Sequence, residues 1–379
     1  MRIVIAPDSF KECLTANQVA SAISVGIQKI VPEAEIICIP IADGGEGTVE
    51  ALVAATSGKI VPTTSVDALN RPIQSFYGIL GNGMTAVIEM AATSGIELIA
   101  SEERNPMITS TYGTGLLLKA VMDAGFTEII LGIGGSATND GGAGMAQALG
   151  FGLLDKNNNP IGRGGGSLGE LHQIDFSKVH PLLRKVKITV ACDVQNPLLG
   201  STGATHIYGP QKGATPEMVE ALEKNMVHFA GILHQEFGLD YSNIPGAVAA
   251  GGLGAGLMAF CNAKMNPGFE LISRLTHLEA KIQNALLVFT AEGKIDSQTT
   301  FGKTISGVAQ LGKKHQVPVI ALAGMVCDDL TELYKQGLTS AFAIANRPMS
   351  LEESMANATE LLAATSEQIM RLVTGIEKK

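Results

Sequence analysis

Apolar and polar positions alternate in blocks along this chain, and the block lengths predict the elements. Arg2–Pro7 (RIVIAP) is a short apolar run that suits a buried strand, and Glu35–Ile41 is a second one. Between them Val19, Ile23, Ile27 and Ile30 recur at helical spacing. Thr15 and Gln18 form a capping-box pattern ahead of that run, and Pro32 ends it. After the polar loop 42–48 a further helix runs to about Thr56 and stops at Gly58. The order strand–helix–strand–helix predicts a doubly wound parallel sheet.

The pattern then changes. Ile73–Leu80 and Thr85–Met90 are strand-like and flank Gly81-Asn82-Gly83, and Asn-Gly between strands is a strong hairpin signal. A hairpin does not belong in a right-handed parallel crossover, so a second domain is expected to start near residue 62. A helical pattern over Thr111–Ala124 leads into the apolar run at Ile129. Residues 146–265 hold glycine clusters and one long amphipathic helix. That helix has Thr215 as N-cap, Pro216 in its first turn, and Met218, Leu222, Met226, Phe229, Leu233 and Phe237 along one face, a row read as core. From Ala285 the strand–helix alternation resumes, and Ser350 with Glu353 marks the start of the closing helix. The fold class is therefore α/β. A doubly wound parallel-sheet domain (1–62, 95–145 and 266–379) is interrupted by a mixed α/β domain (63–94 and 146–265).

Composition narrows the class of partner. The chain has 379 residues, a formal net charge of −9 and no basic run, which disfavours nucleic acid and anionic membrane as partners. No apolar run approaches the roughly 18 residues of a membrane span. Met1-Arg2 runs straight into a strand-like segment with no signal-peptide core, and the five cysteines are scattered without a CxxC pair. Both point to a cytoplasmic protein with reduced, buried thiols and neither a disulfide frame nor a zinc site. The oligomeric state stays open, a homo-oligomer included.

The chemistry concentrates in Glu128–Gly144, EIILGIGGSATNDGGAG. An apolar strand here turns abruptly into glycines, hydroxyls and amides. Such a turn lets the backbone approach a ligand with its N–H groups, and the ligand this favours is an anion, most often a phosphate. Gly134, Gly135, Ser136 and Thr138 are the candidate phosphate contacts. Gly132–Ala137 also satisfies a GxGxx(G/A) dinucleotide pattern with Asp155 about 20 residues on, so a nicotinamide-dependent oxidoreductase is a rival reading. A catalytically silent metabolite-binding protein is another. Phe301-Gly302-Lys303-Thr304 lacks the leading glycine of a P-loop, yet Lys303 remains a candidate phosphate cation. Acidic residues recur at strand ends and in loops: Asp8, Asp43, Glu46, Asp193 and Asp296. Near a phosphate site such acids can hold Mg²⁺ through water or serve as a base, and each can equally be an N-cap or turn residue.

Taken together, these motifs resemble the bacterial glycerate kinase family, type 1. The matching segments are Ala6–Lys11 with Leu14–Ala16, Pro40–Thr48, Ile88–Ala91, Gly132–Gly144, Ala191–Leu198, Gly209–Ala214, Gly251–Leu257, Gly293–Thr299 and Gly302-Lys303. They run in order over nearly the whole chain. Glu12-Cys13 stands where Gly-Ser is usual and Ile305 where Pro is common. The resemblance implies ATP-dependent phosphorylation of D-glycerate with Mg²⁺, 2-phosphoglycerate being favoured over 3-phosphoglycerate as product. It also implies a two-domain fold with the site in the cleft between domains. On this reading the Gly134–Thr138 loop and Lys303 serve the nucleotide phosphates, and Lys11 bridges to the transferred phosphoryl group. Asp193 or Asp296 orients the substrate hydroxyl or holds Mg²⁺. Arg71 or Lys212 supplies the cation for the substrate carboxylate, with Asp8 and Asp43 as further substrate-side residues.

Overall fold

The computed structural model describes residues 1–41, 44–296, 299, 304–327 and 329–377. Its strands, in chain order, are β1 (Arg2–Ile5), β2 (Glu35–Cys38), β3 (Lys59–Val66), β4 (Pro72–Ile79), β5 (Thr85–Glu89), β6 (Glu128–Gly132) and β7 (Gly152–Leu154), followed by β8 (Gln173–Asp175), β9 (Lys187–Ala191), β10 (Lys264–Asn266), β11 (Leu287–Ile295), β12 (Val319–Val326) and β13 (Ser340–Ala343). They form a five-stranded sheet, a six-stranded sheet and a two-stranded β7–β8 ribbon. The chain divides into two compact units, Met1–Asp43 with Glu50–Thr56 and Phe269–Lys379, and Gly44–Val49 with Ser57–Gly268.

In the first unit the sheet order is β13-β12-β11-β1-β2 and every pairing is parallel. Ile3 and Ile5 pair with Leu287 and Phe289, and these side chains pack with Val19, Ile23 and Ile27 of helix Ala16–Ile30 and with Leu361, Leu362 and Ile369 of helix Ala358–Glu377. The expected capping box is present: Thr15 Oγ1 accepts the Gln18 N–H, and the Gln18 side chain accepts the Thr15 N–H. From β1 the chain winds outward to β2, and from β11 it winds the other way to β12 and β13. The crossovers therefore diverge at β1 and β11. A doubly wound sheet opens a crevice at such a switch point, outside the strands' carboxyl ends.

In the second unit the order is β10-β9-β6-β5-β4-β3. The four strands β10, β9, β6 and β5 run parallel, whereas β4 pairs antiparallel with both β5 and β3. The Asn82-Gly83 turn joins β4 to β5 as expected. Pro62 lies in β3, an edge strand, the position in a sheet where proline is tolerated. The expected grouping of residues 95–145 with the chain termini is not what the structure shows. β6 hydrogen-bonds to β5 along Thr85–Glu89 and to β9 along Lys187–Ala191, inside the second sheet. An apolar five-residue strand fits any parallel sheet buried on both faces, and its pattern does not name its neighbours. Helix Pro216–Phe237 carries the Thr215 cap and buries Leu222, Met226, Phe229 and Leu233, so the row is core through its middle, with Met218 and Phe237 half-buried at its ends. All five cysteines are free, but only Cys261 is buried and Cys38 is exposed, which corrects the expectation of uniformly buried thiols.

Candidate active site

The first unit places acidic and hydroxyl groups at its switch point. Asp8 follows β1: its N–H donates to the Ala291 carbonyl of β11 at 2.8 Å. Its carboxylate accepts the Ser9 N–H at 2.6 Å and the hydroxyl of Thr304 at 3.0 Å. Thr304 is the first residue of helix Thr304–His315, so Asp8 sits where the helix dipole favours an anion. The next residues cross over β11 at Gly293, where a Cβ would lie 3.6 Å from the Phe10 Cα and 3.8 Å from the Lys11 nitrogen. Asp296, just past β11, pairs with Lys294 at 3.0 Å and donates its N–H to the Thr299 hydroxyl at 3.1 Å. Hydrogen bonding and charge from Asp296 raise the Lys294 ammonium above its ordinary value. Asp8, Lys11 and Asp296 are thus brought to one end of one sheet. Asp43 and Lys303 lie outside the described residues.

The second unit carries the glycine-rich stretch at the carboxyl end of β6. Two of its glycines are needed for backbone crossing. Gly134 donates its N–H to the Gly44 carbonyl at 2.9 Å, and a Cβ at Gly134 would stand 2.7 Å from the Gly45 Cα. At Gly132 a Cβ would overlap the Gly44 carbonyl oxygen. Gly135 is different: it is exposed, has φ +71°, and a Cβ there would meet nothing closer than 3.7 Å. Ser136 is buried and bridges to Gly95. These roles separate two variants. Gly134→Ala should cost about 1–3 kcal/mol, because the overlapped atoms are backbone and cannot rotate away. Gly135→Ala should cost about 1 kcal/mol, from its left-handed φ alone. Urea midpoints of the two variants check this, and a Gly134→Ala protein as stable as the parent would contradict the crossing.

Beneath the loop lies a buried polar network. Thr138, Asn139 and Asp140 are fully buried. Asp140 accepts five hydrogen bonds, from the Ser110 hydroxyl, the Thr111 N–H and hydroxyl, and the Gly142 and Gly144 N–H groups. Burial pushes its carboxyl above the ordinary value, and these donors pull the other way. Lys212 is also buried, at 2% exposure, and donates from Nζ to the Thr138 carbonyl at 2.7 Å. Desolvation lowers its ammonium to about 7, against the attraction of Asp140. Thr138 and Lys212 therefore support the loop from inside, which differs from the surface roles expected of them on phosphate and on the substrate carboxylate. Arg71, the other carboxylate candidate, binds Asp67 at 2.6 Å and Glu103 at 2.9 Å. Asp193, two residues past β9, accepts the Gly268 N–H at 2.8 Å.

The dinucleotide reading finds no support in this geometry. The helix after the glycine stretch, Ala143–Ala148, has six residues and begins beyond the buried Asp140. Asp155 is half-buried just ahead of a turn, where it accepts the Asn157 and Asn159 N–H groups, and β7 belongs to the antiparallel ribbon. No described helix is long and apolar enough to cross a membrane.

Comparison with known proteins decides the family. The sequence model described as "Glycerate kinase family" matches residues 3–374. This chain belongs to the glycerate kinase family. A glycerate kinase of Halalkalibacterium halodurans is 50% identical over 367 residues, 97% of each chain. A glycerate 2-kinase of Escherichia coli is 47% identical over 369 residues, again 97% of each chain. Among solved structures, a crystal structure assigned as glycerate kinase 2 from Salmonella typhimurium superposes with a TM-score of 0.88 at 44% identity, covering 100% of both chains. The chain is thus a kinase with a mixed α/β fold, and kinase identity implies ATP as phosphoryl donor. Two groups near these loops escaped the sequence reading. Glu89, at the end of β5, is 3% exposed and accepts the Val49 N–H at 3.2 Å. Arg104 has its Nε buried without a partner. A strand-end acid in Ile88–Ala91 was visible for the first, but nothing in the polar stretch around the second marked it.

Proposed function

We propose that this kinase transfers the γ-phosphoryl group of ATP to a hydroxyl of D-glycerate, yielding 2-phosphoglycerate. The observation that carries the reading is the family match along essentially the whole chain, with an E. coli relative named glycerate 2-kinase. Phosphoryl transfer needs positioning and charge neutralisation more than covalent chemistry. The exposed Gly135 and the neighbouring Ser136 offer backbone and hydroxyl groups to nucleotide phosphates, with Lys303 as a further cation, while the Gly134 N–H is spent on the Gly44 carbonyl. Lys11 neutralises the transferred phosphoryl group. Asp296 orients the attacking hydroxyl or holds Mg²⁺, and Asp193 is the alternative acid.

Mg²⁺ fits this donor set. No cluster of three or more His, Cys, Asp or Glu residues suited to a metal exists among the described residues. That suits an ion that keeps most of its waters and binds through one or two carboxylates plus substrate phosphates. Asp8 and Asp296 are the hard oxygen donors that would hold it at the switch point, where it would neutralise phosphate charge. The remaining work falls to the protein's own N–H groups, lysines and carboxylates.

Turnover of ATP with D-glycerate, followed by ADP release, tests the activity. The regiochemistry reads out in the proton-coupled ³¹P spectrum of the product. Phosphate on C2 couples to a single carbon-bound proton and gives a doublet, whereas phosphate on C3 couples to a CH₂ and gives a triplet. A doublet is expected. A triplet would reverse the product assignment, and absence of turnover would overturn the substrate.

A further inference from the structure

We propose that Arg104 is the cation that receives the substrate's carboxylate and makes the enzyme specific for an acid over a neutral polyol. The inference rests on the function proposed above. It begins from the other cations around the glycine-rich stretch, each of which is engaged. Arg71 is held by Asp67 and Glu103. Lys212 is enclosed and bonded to the Thr138 carbonyl. Arg163 bonds to Asn70 and stacks on Tyr112, its guanidinium carbon 3.4 Å from the ring centre.

Arg104 remains. Its neighbours in sequence hold it only loosely: Glu103 is bound by Arg71, and the exposed Glu102 carboxylate accepts the Ser101 hydroxyl at 2.8 Å and feels the Arg104 charge as the least of the influences that lower it. The Arg104 side chain is half-buried, with Nε enclosed and unpartnered. A buried N–H with no acceptor is costly, so such a group in a native site points to a partner supplied from outside the protein.

Its place is fixed by close backbone packing. Gly213, next to Lys212, lies against the Arg104 carbonyl, and a Cβ there would also stand 2.9 Å from the Arg104 Cβ. The Pro106 carbonyl accepts the Gly165 N–H at 3.2 Å, and a Cβ at Gly165 would come within 2.5 Å of the Asn139 carbonyl. The segment 104–106 therefore packs against Gly213 at its start and Gly165 at its end, with Asn139 beside Gly165 and Thr138 bonded to Lys212. Thr138 Oγ1 and Asn139 Oδ1, next to these contacts in the chain, are likewise buried without partners. A guanidinium is the side chain suited to a carboxylate, since its planar fork can bind both oxygens at once.

The test compares the parent, R104Q and R104K with D-glycerate and with its neutral amide, D-glyceramide, under saturating ATP. R104Q should raise KM for D-glycerate by about tenfold or more, the loss of a charge-assisted pair. KM for ATP should stay unchanged, and the preference for acid over amide should shrink by a similar factor. A merely structural arginine would not move that preference. R104K keeps the charge without the fork and should fall between the two. If R104Q does not fold, the acid-over-amide ratio in R104K carries the test. Parental KM and parental preference in the folded variants would overturn the assignment. If the parent does not turn over D-glycerate, the proposed function fails instead. D-glycerate-induced thermal shifts then test Arg104 separately: a shift in the parent that R104Q abolishes supports the site, and equal shifts or none overturn it.

Discussion

Lys212→Ala is expected to destabilise the fold by about 3–5 kcal/mol, the range for breaking a buried charge arrangement or emptying a core-sized side-chain volume. The substitution leaves the Thr138 carbonyl without its 2.7 Å donor, removes the cation that attracts the buried Asp140, and empties the space of the aliphatic stem. Lys212→Met keeps most of the stem and isolates the charge. With its folded value lowered to about 7 from 10.5, Lys212 is charged in both folded and unfolded states below pH 7, and the burial penalty is then fully present. Between about pH 7 and 10.5 the unfolded chain holds the extra proton, so stability rises with pH across that window. The methionine variant lacks this term. Its deficit against the parent should therefore be larger at pH 9 than at pH 6, as measured by urea unfolding at each pH. A deficit that does not change with pH would mean that Lys212 is solvated.

Much of the local structure was legible because it is encoded locally. The Thr15–Gln18 capping box, the Asn82-Gly83 turn, and the cap and core face of helix Pro216–Phe237 are short-range patterns, and each is present. The placement of β6 was not legible, because sheet partners are fixed by long-range packing. The glycines of the central stretch were read as a phosphate cradle. Gly132 and Gly134 turn out to be needed for the crossing with Gly44-Gly45, which no spacing within 128–144 could reveal. Lys212, just ahead of the Thr215 N-cap, reads in sequence as a cation available to a carboxylate, and its burial depends on contacts with Thr138, distant in sequence. Arg104 sits beside two glutamates, and only the structure shows that Glu103 is bound by Arg71 and that Glu102 accepts the Ser101 hydroxyl.

Asp296→Asn should lose at least about tenfold in kcat, roughly 1.4 kcal/mol of transition-state stabilisation, while the protein stays folded. The substitution is nearly isosteric. The Asp296 N–H bond to the Thr299 hydroxyl and the Thr299 N–H bond back to the Asp296 carbonyl involve the backbone of residue 296, so both survive it. The exposed Lys294 pair contributes little to stability, since surface ion pairs are typically worth about 0–1 kcal/mol. What the amide loses is the negative charge, and with it the ability to accept a proton from the attacking hydroxyl or to ligate a hard cation. A Mg²⁺ titration separates these roles. If Asp296 ligates the ion, the variant needs more Mg²⁺ and recovers rate as it is added. If Asp296 orients or deprotonates the hydroxyl, kcat stays low at saturating Mg²⁺, and the acidic limb of the kcat–pH profile flattens. Parental activity at every Mg²⁺ concentration would leave Asp296 as a turn residue and make Asp193, held by the Gly268 N–H, the next acid to replace.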